Sequence, residues 1–283
     1  MSGLSIGVIM QRRPVSRPSP ISGEMISLLR KWGSEVDLLL PDEQPVRLDS
    51  LTARHDLYVL KSGTAAALSL AGALHSQGAR ILNPYPVAMA CRDKVVATRI
   101  LQAAGLPVPA TWASARPAEL APLLADGPLV IKPSDGSEGR GVTVVTDPCD
   151  LPGDPVIGPP LLAQRYHRPD GRDRKLYCIG GNVFGVLRPW PVRSYEDKLG
   201  QPLVVSAQLR DLVLETGRAF GIDLFGVDVV VSAGTPYVVD VSAFPGFKGV
   251  PDAALRLADH LYAVGRGSRC EMVSPVTASW RTL

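Results

Sequence analysis

The stretch FGVDVVVSAGTPYVVDVSAF, residues 225–244, decides how the rest of the chain is read. Two runs rich in β-branched residues flank the tetrapeptide SAGT, which predicts strand, turn, strand. Asp228 and Asp240 interrupt these runs twelve residues apart, with Gly234 midway. A loop of three or five residues centred on Gly234 sets Asp228 opposite Asp240 and keeps Ser242 on the same face. A two-residue loop would throw the aspartates to opposite faces. Like charges facing each other across a sheet repel, so the pair calls for a cation. Magnesium, which takes carboxylate oxygens together with substrate phosphates, is the natural candidate. The alternative is that one aspartate points to solvent.

Upstream, VIKPSDGSEGRGVTVV, residues 130–145, places Lys132 between an apolar run and glycines 136, 139 and 141. The order fits neither a Walker A loop nor a dinucleotide fingerprint, because the lysine precedes the glycines and a strand follows them. Such a hairpin can still hold polyphosphate, since residues without Cβ let backbone N–H groups approach an anion. The competing reading is a flexible hairpin beside a solvated lysine.

The 283 residues suffice for two domains, and 46% apolar residues for a substantial core. A net charge of +3 is too balanced to argue for nucleic acid or an anionic membrane as partner. Cys91, Cys149, Cys178 and Cys270 are scattered and read as reduced thiols rather than zinc ligands. With no signal-peptide or bilayer-spanning pattern, a cytoplasmic protein is expected. Strand and helix patterns alternate over about the first 85 residues, predicting a small parallel α/β domain that Pro84 and Pro86 would bound. RDKVVATRILQAAGLPVP follows as a helix, with Asp93 its N-cap and Gly105 its stop. Beyond residue 128 hairpin-forming strands dominate, with helices expected near 207–220 and 251–264. His167 is read as a surface residue, and the run Arg165, His167, Arg168, Arg172, Arg174, Lys175 either as a solvated face or as contacts to a polyanion.

Together these motifs resemble the ATP-grasp superfamily over about residues 88–265. The resemblance implies an ATP-grasp fold behind an N-terminal small parallel α/β domain, with divisions at 1–87, 88–163 and 164–283. It further implies ATP held by Lys94, Lys132 and the loop Gly136, Ser137, Gly139 and Gly141, with Gln164 and Tyr166 beside adenine. Arg174 and Arg188 would meet the γ-phosphate or the acceptor, and Asp228, Asp240 and Ser242 would hold magnesium or manganese. The family pattern has glutamate where Asp240 stands and asparagine where Ser242 stands, so either a water completes the shell or only one metal is held firmly. Within the superfamily the motifs resemble RimK-type carboxylate–amine ligases. Those act through an acyl phosphate on small-molecule or peptide substrates. YVVDVSAFPGFKGVPDAA and LRPWP also resemble the inositol polyphosphate kinases. A nucleotide-binding module without turnover is the non-enzymatic alternative. Residues 10–20 and the FPGFKG loop are expected to shape the acceptor pocket, and a homodimer is the default assembly.

Overall fold

The computed structural model describes residues 3–12, 20–135, 141–153, 159–189 and 194–267. β1 (Ser5–Ile9), β2 (Glu35–Leu39), β3 (Leu57–Leu60) and β4 (Ile81–Leu82) form a parallel sheet in the order β2-β1-β3-β4. Met25, Ile26 and Leu29 of α1 (Pro20–Lys31) pack on the face made by Ile6, Val8, Leu57 and Val59. α2 (Ala65–His75), capped by the Thr64 side chain, covers Tyr58 and Leu60 on the other face. Pro84 and Pro86 follow β4, the last strand of this sheet, and open α3 (Tyr85–Arg92). Proline's fixed φ suits a first helical turn, where a missing N–H loses no bond. Asp93 then caps α4 (Lys94–Ala103) as expected, its carboxylate accepting from the N–H groups of Val95 and Val96.

The second sheet is antiparallel and contains β5 (Thr111–Ser114), β6 (Leu129–Pro133), β7 (Thr143–Val145) and β8 (Leu161–Arg165), in the order β5-β8-β6-β7. Its apolar face packs Leu129, Ile131, Val145 and Ala163 around Leu120 and Trp112. The opposite face carries Lys132 and Gln164, because residues two apart on a strand share a face.

The third sheet joins β9 (Arg172–Ile179), β10 (Asn182–Pro189), β11 (Gln201–Leu203), β12 (Leu224–Ser232) and β13 (Thr235–Ser242) in the order β11-β10-β9-β12-β13. α5 (Tyr195–Leu199) precedes β11, and α6 (Ala207–Phe220) covers the face made by Leu176, Cys178, Phe225 and Val227. On the other face Tyr177, Ile179, Val186 and Leu224 share one core with α7 (Ala253–Gly265), α1 and the parallel sheet. No helix among the described residues is long and apolar enough to cross a membrane.

The turn between β12 and β13 corrects the expected loop. It has two residues, Ala233 at φ 48° and Gly234 at φ 81°, between the pair Ser232 and Thr235. That loop alone would separate the aspartates. A bulge at Val239 intervenes: Val229 pairs with Val238, whereas Asp228 pairs with Asp240 and Gly226 with Ser242. The extra residue flips the register of every position beyond it, so Asp228, Asp240 and Ser242 share a face after all.

Two successive positive φ values favour Asn-Gly over Ala-Gly at this turn. Ala233→Asn is therefore expected to stabilise the fold by about 0.5–1 kcal/mol, read as a higher urea midpoint at unchanged m-value. A lowered midpoint would contradict the turn assignment.

Candidate nucleotide and metal site

Asp228 and Asp240 stand as a directly opposed pair, with side chains 24% and 31% exposed. Ammonium groups arrive from three different elements. Lys175, in the neighbouring strand and opposite Asp228 in register, donates to Asp228 Oδ2 at 2.7 Å. Lys94, in the first turn of α4, comes within 3.7 Å of Asp240 Oδ1. Lys132, from the second sheet, donates to the carbonyl of the bulge residue Val239 at 2.8 Å. The bulge therefore both aligns the carboxylates and turns a carbonyl toward the second sheet's lysine. The backbone N–H of Lys94 donates to the Ser134 carbonyl at 2.9 Å, tying the start of α4 to the end of β6.

Burial shapes the charges of this group. It lowers the Lys132 ammonium to about 8, against the attraction of Asp240. It works in the same direction on Lys175, but Asp228 and Asp240 more than offset it and leave that group raised. Burial raises the Asp240 carboxyl above the ordinary range; Lys94 opposes this and Asp228 adds to it. Three ammonium groups against two carboxylates leave one positive charge in excess, a surface fitted to an oxyanion such as a phosphate.

Beside the pair, Arg188 lies opposite Asp173 in register and donates from Nη2 to the Tyr177 hydroxyl at 2.8 Å. Burial, then Asp228, raises the Asp173 carboxyl to about 6, and Arg188 opposes the shift. Arg174 sits elsewhere. It pairs in register with Val229 rather than Asp228, so it points to the opposite face, where it makes a bidentate pair with Asp170 at 2.9 and 2.5 Å. The sequence reading thus passed over Lys175 in favour of its neighbour. The missed signal is the alternation of DRKLY: Lys175 shares a face with Tyr177, and Arg174 with the core residue Leu176.

Gln164 is buried on the Lys132 face of the second sheet, donating from Nε2 to Thr111 Oγ1 at 3.2 Å; Tyr166 is half-buried just beyond β8. Gly141 is left-handed at φ 71°, whereas Gly136, Ser137 and Gly139 lie outside the described residues. The basic run divides. Arg165 donates to the carbonyls of Gly127 and Leu123 and covers Trp112, while His167 is half-buried, stacked on Tyr237 at 3.9 Å rather than free on the surface. Cys91, Cys149 and Cys178 are free thiols, and Cys270 is outside the described residues.

No cluster of three or more His, Cys, Asp or Glu able to hold a metal occurs among the described residues. Asp228 and Asp240 with the Ser242 hydroxyl are hard oxygen donors on one face. They fit a magnesium ion that takes its remaining ligands from water and phosphate rather than from a full protein cage.

The fold is shared with solved structures along nearly the whole chain. D-cycloserine synthetase superposes with a TM-score of 0.72 at 18% identity, covering 92% of this chain and 99% of that one. A RimK domain protein ATP-grasp from Sphaerobacter thermophilus superposes at 0.69 and 20% identity, covering 91% and 99%. The chain has the ATP-grasp fold. The ATP-grasp domain model of inositol 1,3,4-trisphosphate 5/6-kinase matches residues 195–263, which include both aspartates. A curated relative, a probable alpha-L-glutamate ligase of Parasynechococcus marenigrum, is 26% identical over 194 residues, 63% of this chain. The chain spans 41% of that relative's length. These comparisons bear out the ATP-grasp resemblance and its RimK-like character.

Lys175→Met and Arg174→Met separate the two faces of β9. Lys175→Met is expected to lower ATP turnover by about a hundredfold, the scale of losing one preorganised charge at a reacting phosphate. Arg174→Met should change it less than about threefold, as removal of an outlying ion pair does. Equal losses would reject the face assignment.

Proposed function

We propose that the chain is an ATP-dependent carboxylate–amine ligase acting through an acyl phosphate. The observation that carries this reading is the opposed Asp228/Asp240 pair ringed by Lys94, Lys132 and Lys175. Magnesium on Asp228 and Asp240 would neutralise charge on the phosphates as the terminal bond breaks. The three lysines position the phosphate oxygens. Because Lys175 is on the site face and Arg174 is not, the γ-phosphate contact expected of Arg174 is assigned to Lys175. An acceptor carboxylate oxygen attacks the γ-phosphorus, the bond to the β-phosphate oxygen breaks, and ADP leaves. The amine nitrogen then attacks the acyl carbon. Arg188, held by the Tyr177 hydroxyl, faces the negative charge that grows on the carbonyl oxygen. Phosphate departs with the acyl oxygen, the nitrogen loses its proton to water or phosphate, and an amide remains. No side-chain nucleophile is required.

The match to a kinase domain model over 195–263 supports a second reading, transfer of the phosphoryl group to a hydroxyl. Products separate the two. With ATP, magnesium, a panel of amino acids as carboxylate donors and hydroxylamine as the amine, a ligase forms ADP, free phosphate and hydroxamate in equal amounts. A kinase forms ADP and a phosphorylated product without free phosphate. Asp240→Asn is expected to cut hydroxamate formation by about a hundredfold or more. Hydroxamate formed at the wild-type rate by that variant would reject the metal assignment, and phosphorylated product without hydroxamate would reject the ligase reading.

A further inference from the structure

We infer that the cleft between the β9–β10 turn and α7 is a second binding site, separate from the nucleotide, and that it takes a free α-amino acid, Arg256 reading the carboxylate and Asp259 the ammonium.

Gly180 at φ 58° and Gly181 at φ 82° close the hairpin between the paired residues Ile179 and Asn182. Successive positive φ values give the twist that a two-residue hairpin loop needs. The turn and the helix share an anchor. The Gly180 N–H donates to the Asp223 carbonyl at 2.8 Å, and His260, buried on α7, places Nε2 3.3 Å from Asp223 Oδ1. Hairpin and helix thus stand as fixed walls around a cleft of about 70 Å³, lined by Ile179, Asn182, Phe184, Arg256, Asp259 and His260. One water needs about 10–15 Å³, so there is room for about five atoms of that size, the bulk of glycine or alanine.

The charges at the rim select such a ligand. Arg256 and Asp259 are three residues apart on α7, a spacing that lets an arginine and an aspartate pair across one helical turn. These two do not pair. The Arg256 guanidinium lies 4.8 Å from the Phe184 ring centroid and its Nε donates to the Pro251 carbonyl at 2.9 Å. Those contacts hold it in place and leave its Nη groups without a hydrogen bond among the described residues. The exposed Asp259 carboxylate makes no hydrogen bond or ion pair among them either. A fixed cation and a separate anion beside the partly buried ring of Phe184 match a zwitterion whose two charges are one carbon apart. An acid or an amine alone satisfies only one of them. The cleft also lies away from the chemistry: Ile179 is four residues along β9 from Lys175, roughly 13 Å at the rise of a strand.

The test titrates glycine, L-alanine, acetate and methylammonium into isotope-labelled protein and follows the amide resonances of Gly180, Gly181 and Asn182. At least one amino acid is expected to saturate these shifts at least about tenfold more tightly than either single-charge compound, the scale of one charge-assisted hydrogen bond. Arg256→Gln and Asp259→Asn should each weaken that binding by at least about tenfold. Affinity for a non-hydrolysable ATP analogue should stay within about twofold in both variants, which also shows that they fold. No saturable shift at the turn with either amino acid, equal affinity for acetate or methylammonium, or undiminished binding in either variant overturns the inference.

Discussion

Two carboxylates on adjacent strands, facing each other at a directly paired position, repel unless cations surround them. The neighbourhood of Asp228 and Asp240 is arranged around that constraint. Lys175 answers Asp228 from within the sheet, Lys94 answers Asp240 from the start of a helix, and Lys132 is fixed to the backbone between them. Each ammonium comes from a different layer, so the electrostatic requirement of the pair also holds the layers in relative position. The resulting excess of positive charge is what a phosphate chain with its metal can exploit. Lys132 lies in the second sheet while its acceptor lies in the third, so a nucleotide held between the sheets would be met from both sides.

The parallel sheet takes part through its edge rather than its face. The buried side-chain amide of Asn83, just past β4, donates to the carbonyl of Leu224 at 2.6 Å and to that of Ala243. One side chain thus grips the start of β12 and the residue after Ser242, bracketing both aspartate-bearing strands. This contact is short and buried, which suits a fixed joint. The seam therefore has a rigid anchor at β4.

Much of this was legible in the sequence. The capped helix at Asp93, the parallel alternation of the first region and the opposed aspartates each follow from local chemistry that the chain obeys. The hairpin reached the expected pairing by a different route, a two-residue turn corrected by a bulge at Val239. A bulge residue carries no local signature when it is one valine among several, and its purpose becomes visible only with Lys132 against its carbonyl. Arg174 and Lys175 show the complementary limit. Both are basic and adjacent, and composition cannot rank them; the face of β9 can, because it sends one to Asp170 and the other to Asp228. The role of Asn83 depends on contacts spanning more than a hundred residues of chain, which no local pattern encodes.

The central claim is that Asp228 and Asp240 act as one metal-holding pair only when nucleotide phosphates complete the site. Manganese binding followed by electron paramagnetic resonance, with and without a non-hydrolysable ATP analogue, tests it most directly. Weak manganese binding by the protein alone, a protein–nucleotide–manganese complex with the analogue, and loss of that complex in both Asp228→Asn and Asp240→Asn are the expected results. An unaltered manganese complex in either variant would contradict the account.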